Sequence, residues 1–268
     1  MLHYKFHQAN QPTSKLLVML HGFISDQKAF DNHIHTLIET VNVVTIDLPG
    51  HGEDQTSSNQ IWDFPFINNQ LNKTLEMFKS HQLFLHGYSM GGRIALYHAI
   101  YGSTKLAGLV LESTSPGIKD EATQLERQHV DHARARVLEI AGLEVFVNDW
   151  EKLPLFYTQY DLDETNRSNI RNMRLRQDPV RLAKSLRDYG TGNMPNLWSV
   201  INQIQLPTCI IVGGLDRKFC DIAQKMVSIM PQTELFEVEQ SGHTVHVEEM
   251  TEFDRIVIGF IQKEEQND

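Results

Sequence analysis

The stretch "LFLHGYSMGGRIAL", residues 83–96, decides the fold. An apolar run ends at Gly87, then Tyr88, Ser89 and Met90 precede a glycine pair and the helical pattern "GGRIALYHAI" of residues 91–100. Gly87-Tyr88-Ser89-Met90-Gly91 is a G-x-S-x-G pattern, and between a buried strand and a helix it predicts a strained turn that lifts the serine hydroxyl above a sheet edge. Glycines flank the serine because a side chain at either place would collide with the neighbouring strand or helix. The context favours a reactive Ser89 over a serine of an ordinary tight turn. Arg93 sets a problem, because a cation in the first helical turn opposes the positive end of the helix dipole. An anion or acid is expected beside it, and bidentate recognition of a carboxylate is the natural use of a guanidinium.

A serine hydroxyl is inert at neutral pH unless a histidine takes its proton and a carboxylate orients that histidine. In a fold of this kind the partners follow in the order serine, acid, histidine, each just past a later strand. Asp216 follows "CIIVGGL" and His243 follows "LFEVEQSG", which fits that order. Two rivals stand: Glu112 at the end of the preceding strand, and His246 three residues beyond His243. Strand-end loops favour Asp216 and His243. His21-Gly22-Phe23, after "LLVML", occupies the place that donates one oxyanion N–H, with the other from Met90. Phe23 is proposed for its amide, and it can also serve as a packing aromatic.

Outward from the elbow, apolar runs recur: "KLLVMLHG" (15–22), "VNVVTIDL" (41–48), "QLFLHGYS" (82–89), "LAGLVLEST" (106–114), "PTCIIVGG" (207–214) and "TELFEVEQ" (233–240). Continuous rather than alternating hydrophobicity predicts strands buried on both faces. Helical patterns separate them, so the fold class is α/β, a mostly parallel sheet covered by helices on both faces. "LHYKFHQ" (2–8) alternates and predicts an antiparallel edge strand. Between Thr114 and Pro207 no buried strand is legible, and stretches such as "DEATQLERQHVDHARARVLEIAG" (120–142) read as helices with charged faces. The expected division is a core of residues 1–115 and 200–268 with a helical cap of residues 116–199. The polar tail "QKEEQND" (262–268) is expected to fray.

The 268 residues carry a formal charge of −10, which argues against a nucleic-acid binder, since phosphate recognition needs a basic surface. No charged segment followed by an apolar stretch opens the chain, and no run is long enough to span a membrane, so a soluble cytoplasmic protein is expected. Cys209 and Cys220 give neither a disulfide framework nor a zinc pattern and are expected to be reduced. Of the 13 histidines, the pairs His33/His35 and His129/His132 lack the spacing and glutamate of a helical zinc motif, and no metal is expected. "DLPGHG" (47–52) lacks the ending of a phosphate loop, so Asp47 reads as structural.

The arginines are distributed unevenly. Nine of the 12 fall between Arg127 and Arg187, inside the insertion. A cap folded over the carboxyl edge of the sheet brings some of them above Ser89. Arg134, Arg136, Arg181 and Arg187 are expected to lie on solvated helix faces with partners one turn away.

Together "HGF" (21–23), "GYSMGGR" (87–93), "ESTSPG" (112–117), "GGLDRKF" (213–219) and "SGHTVH" (241–246) resemble the α/β-hydrolase superfamily. More narrowly the chain resembles the 2-succinyl-6-hydroxy-2,4-cyclohexadiene-1-carboxylate synthases of menaquinone biosynthesis, whose elbow arginine and lysine-aromatic pair it carries. That resemblance implies a lyase that releases pyruvate by proton abstraction and 2,5-elimination, without metal or organic cofactor. It implies Ser89, His243 and Asp216 as the triad, Phe23 and Met90 as oxyanion amides, and Tyr88 and Arg93 as substrate contacts. In the cap it implies Arg127, Trp150 and Arg174 as substrate-binding, and beside the acid Lys218, for which a plain surface lysine is an equal reading. The implied partner is a small polycarboxylate; oligomeric state is not legible. The competing reading, a carboxylester or carbon-carbon bond hydrolase with the same triad, expects an apolar cap. A noncatalytic binding protein of the same fold would be expected to lack a triad member.

Overall fold

A computed structural model describes residues 1–263. The apolar runs form β1 (His3–His7), β2 (Lys15–Leu20), β3 (Asn42–Asp47), β4 (Gln82–Tyr88), β5 (Gly108–Glu112), β6 (Thr208–Gly213) and β7 (Thr233–Val238). They make one sheet in the order β1-β3-β2-β4-β5-β6-β7. Every pairing is parallel except that of β1 with β3. Pairing of Leu20 with Gly87 sets the ends of β2 and β4 side by side, so the loops that leave them meet at one carboxyl edge.

Helices cover both faces. After β2 comes α1 (Asp31–Leu37), after β3 α2 (Phe64–Leu75) and after β4 α3 (Met90–Tyr101). Between β5 and β6 lie α4 (Glu121–Ile140), α5 (Leu143–Trp150), α6 (Glu164–Leu175) and α7 (Pro179–Tyr189); then come α8 (Arg217–Val227), α9 (Val245–Glu248) and α10 (Met250–Lys263). Alternate residues of β2 pack in opposite directions, because side chains of a strand point to opposite faces. Leu16, Val18 and Leu20 join apolar residues of α2, α3 and α8, whereas Leu17 and Met19 join those of α1 and α10. β2, β3, β5 and β6 are buried along their whole length, as continuous hydrophobicity predicts.

β7 departs from that expectation. Glu234 and Glu237 are exposed, and Val238 alone of its six residues is buried. As the last strand of the sheet it lacks a neighbour on one side, so its apolar Leu235 and Phe236 reach only part-burial. Of the tail, Gln262 and Lys263 form the end of α10, and the remainder lies outside the described residues.

The four helices between β5 and β6 have a small core of their own. Ala135 and Leu138 of α4, Phe146 and Val147 of α5, and Leu182, Ala183 and Leu186 of α7 pack together with Ile24 from the loop after β2. Three of these helices begin at aspartates that accept the free amides of the first turn: Asp120 from Thr123 at 2.8 Å, Asp163 from Asn166 at 2.9 Å, and Asp178 from Val180 at 2.8 Å. At the neck, Leu197 N–H donates to Pro116 O at 2.8 Å, and Trp198 Nε1 donates to Gly117 O at 2.9 Å.

Long-range partners replace the helix-face partners expected for two cap arginines. Arg181 pairs with Asp54 at 2.6 Å and donates to Thr56 O at 3.0 Å, tying α7 to the loop after β3. Arg187 pairs with Glu139 of α4. Arg134 sits 4.0 Å from Asp131 and packs over the Trp150 ring, while Arg136 is exposed. Helical spacing misleads here because α7 lies against α4 and against the loop after β3, and each supplies an acid from a distant part of the chain.

Gly91 makes the elbow possible, since a Cβ there would stand 2.3 Å from Leu20 O and 2.7 Å from His21 O. Both are backbone atoms at the end of β2, so neither can swing aside. Gly91→Ala is expected to destabilise the protein by about 3 kcal/mol, measured by urea denaturation.

Candidate active site

β4 runs into α3 through Ser89, whose φ of 49° lies in the left-handed region. For a residue other than glycine this conformation is strained and has to be held by its surroundings. Ser89 N–H donates to Glu112 O at 2.8 Å, while Arg93 N–H at 3.1 Å and the Thr114 hydroxyl at 2.8 Å both donate to Ser89 O. A Cβ at Gly87 would lie 2.5 Å from the Gly91 carbonyl, which explains the first glycine of the pattern. The backbone is fixed on every side, and the hydroxyl is left to project.

His243 Nε2 lies 3.1 Å from Ser89 Oγ, and its Nδ1 lies 2.7 Å from Asp216 Oδ2. Nδ1–H donating to the carboxylate leaves Nε2 as acceptor for the serine proton. The His243 imidazole is 1% exposed and packs against Phe219, with ring centroids 4.6 Å apart. Asp216 also caps α8, accepting from Phe219 N–H at 3.4 Å. These three chain segments bring Ser89, Asp216 and His243 into one hydrogen-bonded line.

The two rivals pair with each other instead. Glu112 accepts from His246 Nδ1 at 2.8 Å, from His246 N–H at 3.0 Å and from His86 Nε2 at 3.2 Å. Burial alone would raise its carboxyl, yet the charge and bonds of His246 and His86 hold it well below the usual carboxylate range. Glu112 thus joins the end of β5 to the loop that carries His243.

Phe23, from the loop after β2, and Met90, the first residue of α3, line the same cavity as Ser89. Among the described residues no acceptor engages either backbone N–H. Ile24, with φ of 56°, turns the chain just after Phe23. The Phe23 side chain packs edge-on against Trp150 and Phe146, so its ring faces the helices between β5 and β6.

The cavity between the sheet edge and the cap has a volume of about 580 Å³, within the range of small-molecule sites. Tyr88, Ser89, Arg93, Arg127, Trp150, Arg174, Lys218 and His243 all line it; Asp216 stands behind His243. Lys218 is exposed and lies over the Phe219 ring. Arg127 reaches Asp131 at 2.8 Å, and Arg174, 6% exposed, reaches Glu151 at 3.3 Å and Gln159 at 2.9 Å. Burial raises the Tyr88 phenol well above its ordinary range.

Arg93 differs from the other arginines. Its Nε is buried without a hydrogen-bond partner, and Asp131, the acid whose charge reaches it, is engaged by Arg127. Burial, with Arg127 nearby, pushes its guanidinium down to about 10, which still leaves it charged at neutral pH. Trp150 Nε1 is a second buried donor without a partner. Buried donors are normally satisfied, so two orphans on residues that line one cavity mark a place for an acceptor-rich ligand.

Sequence patterns singled out neither Gln159 nor Thr244, which link the cap to the histidine loop, nor Lys28 and Arg176, which also line the cavity. Thr244 could have been found from its place beside His243. Gln159 carried no signal, because it lies in a short 3-10 segment, Pro154–Asp161, without periodicity.

Residues 15–250 match the model of the alpha/beta hydrolase fold family. A Bacillus subtilis (strain 168) protein, provisionally named 2-succinyl-6-hydroxy-2,4-cyclohexadiene-1-carboxylate synthase, is 38% identical over 92% of this chain and 90% of its own. The solved structure of MenH from S. aureus is 52% identical with a TM-score of 0.98, covering 99% of this chain and 100% of that one. An enol-lactonase from Burkholderia xenovorans LB400, at 15% identity and a TM-score of 0.83 over 97% of this chain and 96% of its own, shares the fold. The chain belongs to the α/β-hydrolase fold family and, within it, to the family of the 2-succinyl-6-hydroxy-2,4-cyclohexadiene-1-carboxylate synthases.

Proposed function

We propose that this protein eliminates pyruvate from 2-succinyl-5-enolpyruvyl-6-hydroxy-3-cyclohexene-1-carboxylate, giving 2-succinyl-6-hydroxy-2,4-cyclohexadiene-1-carboxylate. The names of its relatives support the product. The observation that carries the chemistry is the unpartnered Arg93 donor in a cavity that also presents Ser89 and His243. A substrate with several carboxylates satisfies the cations, and a ring proton next to a carbonyl gives the serine a task other than acylation.

In this reading His243 takes the Ser89 proton, and the serine oxygen removes the ring proton beside the succinyl carbonyl. Asp216 stabilises the imidazolium that forms. The electron pair released from carbon is held as an enolate, and the Phe23 and Met90 amides donate to its oxygen. Collapse of the enolate shifts the ring double bond and breaks the carbon-oxygen bond to pyruvate, which departs as its enolate and takes up a proton. Tyr88, Arg93, Arg127, Trp150, Arg174 and Lys218 contact the substrate.

The test incubates the protein with the enolpyruvyl precursor and, separately, with a p-nitrophenyl ester. Rapid pyruvate release with negligible ester cleavage is expected. Fast ester cleavage without pyruvate would instead mark the same triad as that of a carboxylester hydrolase.

A further inference from the structure

We infer that Gln159 is a positioning residue that sets the direction of a hydrogen-bond chain and thereby turns the Tyr88 hydroxyl proton toward the cavity. The chain runs Arg174 Nη2 to Gln159 Oε1 at 2.9 Å, Gln159 Nε2 to Thr244 Oγ at 3.1 Å, and Thr244 Oγ to Tyr88 Oη at 3.0 Å. All four residues are buried. The segment that carries Gln159 lies directly on the histidine loop, since a Cβ at Gly242 would stand 2.2 Å from the Thr158 hydroxyl oxygen.

Direction follows from donor and acceptor capacity. A guanidinium can only donate, so the Gln159 atom facing Arg174 is its oxygen, and the atom facing Thr244 is its NH2. Thr244 Oγ therefore accepts from Gln159 and still has one proton to place. Among the described residues its other side-chain partner is Tyr88, so the threonine donates to the phenol oxygen. Were Tyr88 to donate to Thr244 instead, the threonine oxygen would accept from both neighbours and its own proton would have no side-chain acceptor among the described residues. Tyr88 consequently keeps its own proton for the cavity that it lines, beside Ser89. A cap arginine and a phenol of the elbow are in this way coupled through an amide that touches neither the serine nor the histidine.

The inference rests on the reading of Tyr88 as a substrate contact. Gln159→Glu tests it, because a carboxylate accepts from both sides: Arg174 stays bound, Thr244 turns to donate to the new acid, and its oxygen then draws the Tyr88 proton away from the cavity. This variant is expected to lower kcat for pyruvate release about tenfold in the wild-type background and less than twofold in the Tyr88→Phe background, where the phenol proton is already gone. A merely structural Gln159 loses the same factor in both. Equal losses, or no loss in the wild-type background, overturn the inference. Neutron diffraction from wild-type crystals reads the direction without any substrate. The Thr244 hydrogen should lie on the Tyr88 oxygen with the Tyr88 hydrogen facing the cavity, and the reverse overturns the inference. Should the wild-type protein release no pyruvate, the proposed reaction fails, while the neutron map still decides the direction of the chain.

Discussion

Ser89→Ala is expected to lower the rate of pyruvate release by about a thousandfold, with the thermal unfolding midpoint almost unchanged. A positioned general base contributes roughly a hundredfold to ten-thousandfold, and here the serine oxygen is that base. His243→Gln should cost about as much, because among the described residues His243 is the side-chain acceptor in hydrogen-bond reach of the serine proton. The two effects should not multiply. Groups that act as one unit lose their function together, so the double variant is expected within about threefold of either single one. A coupled assay that reduces the pyruvate formed and follows NADH measures all three. A Ser89→Ala variant with more than a tenth of wild-type activity would exclude the serine as base.

Arg93→Met is expected to separate activity from stability. Loss of a buried charge partner for an anionic substrate costs about 2 to 5 kcal/mol, so kcat/KM should fall by about thirtyfold or more. The ligand-free protein should gain about 1 kcal/mol, since Met removes a cation whose Nε is buried without a partner and which opposes the dipole of α3. Arg93→Lys should recover only part of the activity, because an ammonium offers a point charge where the guanidinium offers a planar fork. Steady-state kinetics together with thermal denaturation test both halves. A variant that is less stable and equally active would make Arg93 a structural residue.

Much of this arrangement is legible in the chain because burial on two faces forces continuous apolar runs. Residues 15–20, 42–47 and 208–213 show it, and the first and last of these runs end where a loop of the site begins. The elbow is legible for a steric reason, since the close approach of Gly91 to Leu20 O admits no side chain. β7 misled because a sheet edge and a sheet centre can carry the same residues, and only the absence of a neighbour tells them apart. The partners of Arg181 and Arg187 were hidden for a related reason. Asp54 and Glu139 lie 127 and 48 residues away in sequence, and helical spacing speaks only to the same helix. Gln159 was hidden more deeply, as a neutral side chain in a segment without period whose role depends on what it touches at each end.

The proposed chemistry departs from that of most serine triads in one respect: Ser89 removes a proton and forms no ester. Intact-mass spectrometry of a single turnover, quenched with acid while pyruvate is being formed, tests this directly. The expected result is one equivalent of pyruvate per protein chain with the mass of the chain unchanged at every time point. A transient mass increase equal to an acyl fragment of the substrate, abolished by Ser89→Ala, would contradict it.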